Sequence, residues 1–133
     1  MIFVDSSFWI GTRLVRDRHH EAAVRLLDSQ QLQARLTTTN HIVGETLTFL
    51  NRKAGHRSAV HFLDRVERSA RVEVVFVSQE LEREALEWLK QHDERSYSFV
   101  DATSFALMRS LGISQAFAFD GDFAAAGFEE LRA

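Results

Sequence analysis

The chain opens with MIFVDSS, residues 1–7, in which an apolar run leads directly into an acid and two serines. Residues 2–4 combine β-branched and aromatic side chains, which predicts a strand buried on both faces. The apolar pattern that follows is helical, so Asp5 is expected at the carboxyl end of this strand. In open α/β sheets, ligands and metal ions bind at that edge. The opening therefore predicts an α/β fold with Asp5 at its functional edge.

The composition is typical of a mildly acidic globular protein, and we expect residues 1–133 to form a single domain. Sixteen basic and nineteen acidic side chains give a net charge of −3, so nucleic-acid binding would need a local basic patch or metal ions. Cysteine is absent from the sequence, which excludes disulfides, zinc–thiolate sites and cysteine nucleophiles. No signal-peptide core or membrane span is recognisable, so the expected location is cytoplasmic, with no membrane partner.

Strand and helix patterns alternate along the rest of the chain. After residues 2–4, the predicted strands are 36–38, 72–77, 116–119 and 128–131. The predicted helices are 8–15, 22–32, 40–54, 56–70, 79–90, 98–111 and 121–123. Leu32 is expected in the buried stripe of the second helix, and Val60, Leu63 and Val66 in that of the fourth. This alternation predicts an α/β protein with a three-layer α/β/α fold, in which helices flank a central, mainly parallel sheet.

Four acidic residues do not fit on polar helix faces: Asp5, Glu45, Asp101 and Asp120. Asp120 ends an apolar run, as Asp5 does. Glu45 and Asp101 lie at helical spacing from apolar neighbours, which predicts that they share the inward faces of their helices. Buried carboxylates are costly unless opposite charges or hydrogen bonds compensate them. Each acid has a structural alternative, as a helix cap, a capping box or a turn residue, but one shared site explains all four.

A divalent metal ion is an economical compensation for such a cluster. Four carboxylates in a chain without cysteine favour Mg²⁺ or Mn²⁺ over Zn²⁺. A site of this kind commonly recruits a phosphate oxygen and activates water for in-line attack on phosphorus. The four acids therefore predict metal-dependent attack on a phosphate ester.

The stretches around these acids resemble a known family. IFVDSSFWI, NHIVGETLTFL, SFVDATSFALMRSLG and AFAFDGDF are similar, in order and spacing, to the four acidic motifs of the PIN domain. More narrowly, the chain resembles the small ribonuclease toxins of VapBC-type toxin–antitoxin pairs. The resemblance implies a PIN-like fold, Mg²⁺- or Mn²⁺-dependent endonucleolytic cleavage of RNA, inhibition by a cognate antitoxin protein, and a homodimer.

The resemblance also implies roles for the individual acids. Asp5 and Asp101 would be the main metal ligands. Glu45 and Asp120 would hold waters or a second metal ion, which makes Asp120 a further candidate metal ligand. Asp122 is a candidate fifth acid, because the last motif of the family varies in whether and where it places another carboxylate.

Hydroxyl and imidazole groups near the acids are candidates for supporting roles. Ser98 falls where many relatives place a hydroxyl before the third acid, and it could orient substrate or water. Ser6 or Ser7 is expected to cap the first helix, and both serines are expected to support the site. His41 lies four residues before Glu45, on the same helical face, and could touch substrate. The alternative for His41 is a solvated or capping histidine.

Local basic patches could carry RNA phosphates even though the chain as a whole is acidic. The alternative is that these side chains only cover solvated helix faces. The candidates for RNA contact are Arg13, Arg16, Arg52 and Lys53.

Two other classes of function compete with an enzyme. A catalytically inactive PIN-like protein-interaction module would share the fold, but it would have no reason to keep four inward acids together. A receiver-like phosphoacceptor domain normally needs paired acids after its first strand and a lysine after its last. Here Asp5 is followed by serines, and the lysines are Lys53 and Lys90. We therefore expect a metal-dependent endoribonuclease, the toxin of a type II toxin–antitoxin system.

Overall fold

A computed structural model describes residues 1–29 and 34–133, so Leu32 lies outside the described residues. In the described part of the chain, five strands alternate with seven helices. The strands are β1 (Ile2–Val4), β2 (Leu36–Thr39), β3 (Val72–Val75), β4 (Gln115–Phe117) and β5 (Glu129–Glu130). The helices are α1 (Ser6–Arg13), α2 (His20–Asp28), α3 (Asn40–Ala54), α4 (His56–Arg68), α5 (Gln79–Gln91), α6 (Phe99–Leu111) and α7 (Asp122–Ala125).

All described strand pairs are parallel, and they form one sheet in the order β3-β2-β1-β4-β5. The first strand of the chain is therefore the central one. From β1 the chain winds outward through β2 to β3, and then returns across the sheet to β4. The strand order thus reverses between β1 and β4, and this switch point is where open α/β sheets leave a crevice at their carboxyl edge.

The helices form two groups, one on each face of the sheet. α1 packs against α2 and α3, and α3 packs against α4, whereas α5 packs against α6 and α6 contacts α7. Crossovers between parallel strands are right-handed, so a chain that reverses direction along the sheet also changes face. This confirms the predicted three-layer α/β/α fold. No helix in the described ranges has the length and apolar character needed to cross a membrane.

The core is built largely from phenylalanine. Phe8 of α1 stacks on Phe117 of β4, with ring centroids 4.4 Å apart and an interplanar angle of 15°. On the other face, Phe105 of α6 meets Phe123 of α7 edge-on at 4.9 Å. All four side chains are fully buried. The first contact joins α1 to the sheet beside the switch point, and the second joins the two helices of the opposite face.

The structure corrects three details of the predicted elements. The strand predicted at 72–77 ends at Val75, because β3 is an edge strand whose exit is solvated, and Phe76 is 76% exposed. The strand predicted at 116–119 is Gln115–Phe117. α4 buries Ala59, Phe62 and Val66, but Val60 is 39% exposed and lies outside this stripe. The buried residues of α4 are three and four positions apart, as one helical face requires.

Candidate metal centre

Acids from four points of the chain converge at the carboxyl edge of the sheet. Asp5 directly follows β1, and Asp120 follows β4, the parallel neighbour of β1 across the switch point. Asp101 lies in the first turn of α6, and Asp122 is the first residue of α7. One carboxylate oxygen from each of Asp101, Asp120 and Asp122 lies within 4.8 Å of the others. The fold thus brings these side chains together from positions far apart in the sequence.

Asp5 is buried beside this group, with 2% of its surface exposed. Its Oδ2 accepts hydrogen bonds from the Ser7 backbone N–H at 3.2 Å and from the Ser7 hydroxyl at 2.7 Å. Burial and, after it, the charges of Asp120 and Asp101 outweigh the hydrogen bonds from Ser7 and together raise the pKa of the Asp5 carboxyl to about 7. Asp5 is the N-cap of α1, so the expectation that Ser6 or Ser7 caps this helix is wrong.

Asp101 is fixed by a reciprocal capping box at the start of α6. The Ser98 hydroxyl accepts from the Asp101 backbone N–H at 2.9 Å, and Asp101 Oδ2 accepts from the Ser98 backbone N–H at 3.1 Å. Burial, together with the nearby charges of Asp120 and Asp122, raises the pKa of Asp101 to about 6 against the hydrogen bonds from Ser98. The two roles predicted for Asp101, closing a capping box and joining the acidic site, are therefore compatible. The same carboxylate closes the capping box and faces the other acids.

Asp120 and Asp122 form the exposed side of the cluster. Asp120 Oδ1 accepts from the Asp122 backbone N–H at 3.1 Å, an arrangement typical of an Asx turn. Burial and then the charge of Asp122 raise the pKa of Asp120. Arg95 forms an ion pair with Asp122 Oδ1 at 2.8 Å and also donates to the Asp120 backbone carbonyl at 3.4 Å. A cation from the loop before α6 thus partly neutralises the outer acids.

The expected inward orientation of Glu45 is wrong. α3 buries Ile42, Val43, Thr46 and Leu50, and Glu45 lies at the exposed margin of that stripe. Its side chain still reaches the site edge, because Glu45 Oε1 accepts a hydrogen bond of 2.5 Å from the buried Ser6 hydroxyl. Glu45 is therefore connected to the start of α1, next to Asp5, through Ser6.

The other predicted residues divide between the acidic edge and distant positions. His41 and Arg52 line a surface groove along α3 together with Glu45, and the His41 ring lies 5.8 Å from that of Phe99 at the start of α6. Lys53 is exposed in the last turn of the same helix. Ser98 caps α6, and the structure assigns it no contact with the other acids.

Arg13 and Arg16 lie away from the acids. α1 begins at the acidic edge with its Asp5 cap and ends at Arg13, about 12 Å along the helix axis. There Arg13 Nη2 contacts His61 Nδ1 of α4. Arg16 is exposed in the following loop. Of the predicted RNA contacts, Arg52 is thus the one that lines the groove containing Glu45.

Two further side chains contact the acids: Ser7, for which the sequence predicted a supporting role but not this contact, and Arg95, which sequence reasoning missed. Ser7 donates to Asp5, and its hydroxyl also accepts from the Phe119 backbone N–H at 3.1 Å, which ties α1 to the segment after β4. Its position directly after the Asp5-Ser6 pair was the available signal. Arg95 is separated from Asp122 by 27 residues, and only its position in an otherwise acidic loop distinguished it in the sequence.

The donor set fits a hard divalent cation. It consists of carboxylates with backbone and hydroxyl groups nearby and contains no sulfur or imidazole, which suits Mg²⁺ or Mn²⁺. The cluster contains four acidic side chains and one arginine, so negative charge is in excess. The raised pKa values of Asp5, Asp101 and Asp120 are consistent with this excess and with burial. The predicted ligands were Asp5, Asp101 and Asp120. In the structure, Asp122 joins Asp101 and Asp120, while Asp5 is turned towards Ser7 beside them.

Comparison with known proteins agrees with this geometry. The PIN domain family model matches residues 2–129. The 23S rRNA-specific endonuclease VapC20 of Mycobacterium tuberculosis is 53% identical over 132 residues, which cover 99% of this chain and 98% of that protein. A VapC ribonuclease of Archaeoglobus fulgidus is 32% identical over 111 residues, which cover 81% of this chain and 70% of that protein.

The similarity extends to three dimensions. A crystal structure of Mycobacterium tuberculosis VapC20, described as a sarcin–ricin loop cleaving toxin, matches this fold with a TM-score of 0.93 at 52% identity. The match covers 100% of both chains. The resemblance to VapC toxins that the four motifs predict is thus confirmed. Because the family model spans nearly all of the chain and the whole fold matches a solved relative, this chain belongs to the PIN domain family.

Proposed function

We propose that this chain is a divalent-metal-dependent endoribonuclease and the toxin of a type II toxin–antitoxin pair. The observation that carries the proposal is the convergence of Asp5, Asp101, Asp120 and Asp122 at the switch point of a chain 53% identical to a VapC endonuclease. A non-catalytic module would have no use for carboxyls whose pKa values are raised by burial and mutual repulsion. We take residues 1–133 to form one PIN domain.

We propose the sarcin–ricin loop of 23S rRNA as the target. VapC20 of Mycobacterium tuberculosis is described as specific for 23S rRNA and as cleaving that loop. Identity of 52% with the same fold over both full chains supports a shared substrate surface as well as a shared reaction. Such a toxin would act in the cytoplasm, where a cognate antitoxin would hold it inactive. We also propose that it works as a homodimer, as the family resemblance implies.

In the proposed reaction, Asp101, Asp120 and Asp122 would hold a Mg²⁺ or Mn²⁺ ion together with Asp5. A cation held there would supply positive charge against the phosphate oxygens and would acidify a nearby water. The capping box keeps the Asp101 carboxylate in position, and Ser7 does the same for Asp5. Glu45 stands at the edge of this group on an exposed helix margin, where its carboxylate can accept a proton from the attacking water.

RNA binding by an acidic protein requires local compensation of charge. A cation among the acids reverses the sign of the potential where the scissile phosphate must lie. Arg52 lies on the groove that contains Glu45 and His41, so its guanidinium can contact a neighbouring phosphate. The His41 and Phe99 rings offer flat faces on which an unstacked base can lie. The proposed path of the RNA therefore runs from the acids along α3.

The test is cleavage of intact ribosomes and of a synthetic sarcin–ricin hairpin by the purified protein in Mn²⁺. We expect one cut within the loop, which EDTA abolishes. Asp5→Asn and Asp101→Asn should each lower kcat at least about 100-fold, because each removes charge that holds the cation. Glu67→Gln, which changes an exposed acid of α4, is the matched control and should cleave as the natural protein does.

Two outcomes would contradict parts of this proposal. If the folded protein cuts no RNA on a broad panel that includes tRNA and mRNA, the enzyme assignment fails and the non-catalytic module becomes the better explanation. If it cuts another RNA in Mn²⁺ but leaves the sarcin–ricin loop intact, the reaction stands and the proposed target is wrong. Retention of full activity by both Asp→Asn variants would exclude this acidic site as the catalytic centre.

A further inference from the structure

A second cavity lies at the opposite edge of the sheet from the acids. It adjoins Leu36 and Val72, the first residues of β2 and β3, whereas the acids follow the strand ends. Its volume is about 370 Å³, which falls in the range of small-molecule sites. Phe62 and Val66 of α4 add to its apolar wall. The cavity is therefore independent of the candidate metal centre.

Three arginines line this cavity: Arg13 at the end of α1, Arg65 in α4, and Arg71 just before β3. The acid in its lining is Asp28, and none of the three arginines forms an ion pair with a described residue. Burial, and then the positive charge of Arg65, lower the pKa of the Arg13 guanidinium. Three positive charges and one negative charge therefore line the cavity, and within residues 1–29 and 34–133 no carboxylate pairs directly with these arginines.

The wall of the cavity also contains hydrogen-bond donors that lack acceptors. Within residues 1–29 and 34–133, no acceptor meets Trp9 Nε1, Arg13 Nε or Arg71 Nη2, although all three atoms are buried. Unpaired buried donors are rare in folded proteins, and they commonly mark the position of a bound group. Trp9 itself is 7% exposed, so its indole N–H is fixed by packing and cannot turn towards bulk water.

The arginine side chains are held in place by other bonds. Arg71 Nε donates to the Ala34 carbonyl at 3.1 Å, and Arg13 Nη2 contacts His61 Nδ1. The guanidinium groups of Arg13 and Arg71 are thus each anchored at one nitrogen, while another nitrogen has no partner in the part of the chain that the structure describes. Planar guanidinium groups bind carboxylate and phosphate oxygens through two parallel N–H bonds. Guanidinium groups with unpaired N–H groups beside an apolar wall therefore suit an anion that carries an apolar group.

We propose that this cavity binds an oxyanion, a phosphate or carboxylate group carried on a small apolar body such as an aromatic ring. The anion lies against the guanidinium groups of Arg13, Arg65 and Arg71, beside the Trp9 indole. The ring contacts the apolar wall formed by Phe62 and Val66. The proposal needs neither the acidic cluster nor a metal ion, so it does not depend on the nuclease activity.

The indole N–H of Trp9 provides a direct reporter. In ¹⁵N-labelled full-length protein with EDTA, we would titrate inorganic phosphate, phenyl phosphate, benzoate and neutral benzyl alcohol at constant ionic strength. The second indole signal belongs to Trp88, and Trp88→Phe identifies it. We expect millimolar phenyl phosphate or benzoate to shift the Trp9 signal saturably while the Trp88 signal stays in place. The stronger of these two ligands identifies the preferred anion.

Charge variants separate a built site from general attraction. Arg65→Gln should weaken binding of the preferred ligand at least about tenfold, because it removes a charged hydrogen-bond donor. Arg71→Gln should do the same, provided that its thermal melt is cooperative. Arg68→Gln is the matched control, because Arg68 is exposed in the same turn of α4 as Arg65 and does not line the cavity.

Three results would overturn the proposal. The first is the absence of a saturable Trp9 shift with all three anions, inorganic phosphate, phenyl phosphate and benzoate. The second is an equal loss of affinity in Arg65→Gln and Arg68→Gln, which would indicate non-specific attraction to a basic surface. The third is an equal response to benzyl alcohol, which would indicate an apolar cavity without an anion site. A saturable shift with inorganic phosphate alone, lost in Arg65→Gln but kept in Arg68→Gln, would support the anion subsite.

Discussion

Asp5 performs a structural and an electrostatic role with one carboxylate. It caps α1 through the Ser7 backbone N–H, and it lies buried within the field of Asp101 and Asp120. The bond from the Ser7 hydroxyl favours its charged form, but burial outweighs that bond and raises its pKa to about 7. The charged form of the Asp5 carboxyl is therefore unfavourable in the fold unless a cation binds beside it.

Removing this charge should stabilise the metal-free protein. Between the ordinary pKa of 3.8 and about 7, the unfolded chain loses the Asp5 proton while the folded protein keeps it, so the free energy of unfolding falls as pH rises. The Asp5→Asn side chain cannot lose a proton, so its free energy of unfolding does not fall in this way as pH rises. Its amide oxygen can still accept a hydrogen bond from the Ser7 backbone N–H. At pH 8 in EDTA, we expect the free energy of unfolding of Asp5→Asn to exceed that of the natural protein by roughly 1–3 kcal/mol.

Urea melts at several pH values measure this difference. The advantage of Asp5→Asn should shrink towards zero at about pH 3 and below, where Asp5 is mostly protonated in both the folded and the unfolded state. Glu67→Gln, at an exposed site, should track the natural protein throughout. A variant that is less stable than the natural protein at pH 8 would mean that the cap bond outweighs the repulsion, and the shared acidic site would lose its electrostatic support.

Ser6 and Glu45 should act as one unit in cleavage. Their 2.5 Å hydrogen bond holds an exposed carboxylate against the start of α1. We expect Ser6→Ala and Glu45→Gln each to lower the single-turnover rate about 10- to 100-fold, with the double variant close to the worse single one. Unfolding free energy should change little, because the bond involves an exposed partner.

A hydroxyl that bonds only within its own helix serves as the control for this pair. Ser110→Ala removes a bond to the Leu107 carbonyl at the end of α6 and should leave the cleavage rate unchanged. If the losses of Ser6→Ala and Glu45→Gln simply multiply in the double variant, the two side chains act separately and Ser6 does not position Glu45.

At the level of single residues, the sequence could predict the acids better than their partners. Asp5 and Asp120 end apolar runs, and Asp101 follows Ser98 at capping-box spacing, so local pattern reveals all three. Arg95 meets Asp122 only through tertiary structure, so no local pattern indicates the pair. Glu45 was misplaced because spacing from apolar neighbours cannot separate the centre of a buried stripe from its margin.

α6 shows how local signals define an element that positions the site. The capping box fixes its start at the acidic edge, and Gly112 ends it in a left-handed conformation with φ of 68°. Ile113 then bonds back to the Met108 carbonyl at 2.9 Å, which closes the helix end. Both ends of α6 were predictable from the sequence because each depends on residues within one turn.

Two glycine variants test this account of α6. Gly112→Ala should lower the free energy of unfolding by about 1 kcal/mol, because alanine is strained at positive φ. Gly44→Ala, in the interior of α3 where an added Cβ meets nothing within 4 Å, should raise it by about 0.5–1 kcal/mol. Chemical denaturation measures both. Equal effects of the two variants would show that the helix end does not depend on the glycine conformation.

Strand ends were less predictable than helix ends. β3 stops at Val75 although its β-branched run continues to Val77, because the Val77 backbone N–H bonds to the Asn40 side chain at 2.8 Å instead of to a strand. β4 stops at Phe117, and the segment after it is tied to Ser7. These limits come from long-range contacts, which a local hydrophobic pattern does not contain.

At the level of the whole chain, alternation of strands and helices predicts a parallel three-layer fold but not the strand order. The order β3-β2-β1-β4-β5 places β1 beside β4, although more than 100 residues separate Phe3 from its partner Ala116. That pairing creates the switch point and brings Asp5 to Asp120. The site is therefore a property of topology, and the sequence could indicate it only through acids that local structure leaves unexplained.

The most direct test of one shared metal centre is an anomalous difference map from crystals of the metal-free protein soaked in Mn²⁺. We predict a peak within bonding distance of the Asp101 and Asp120 carboxylates, next to Asp5 and Asp122, and its loss in crystals of Asp101→Asn. The absence of a peak at these acids in well-diffracting soaked crystals, or a peak that persists unchanged in Asp101→Asn, would contradict the assignment of these acids as a metal centre.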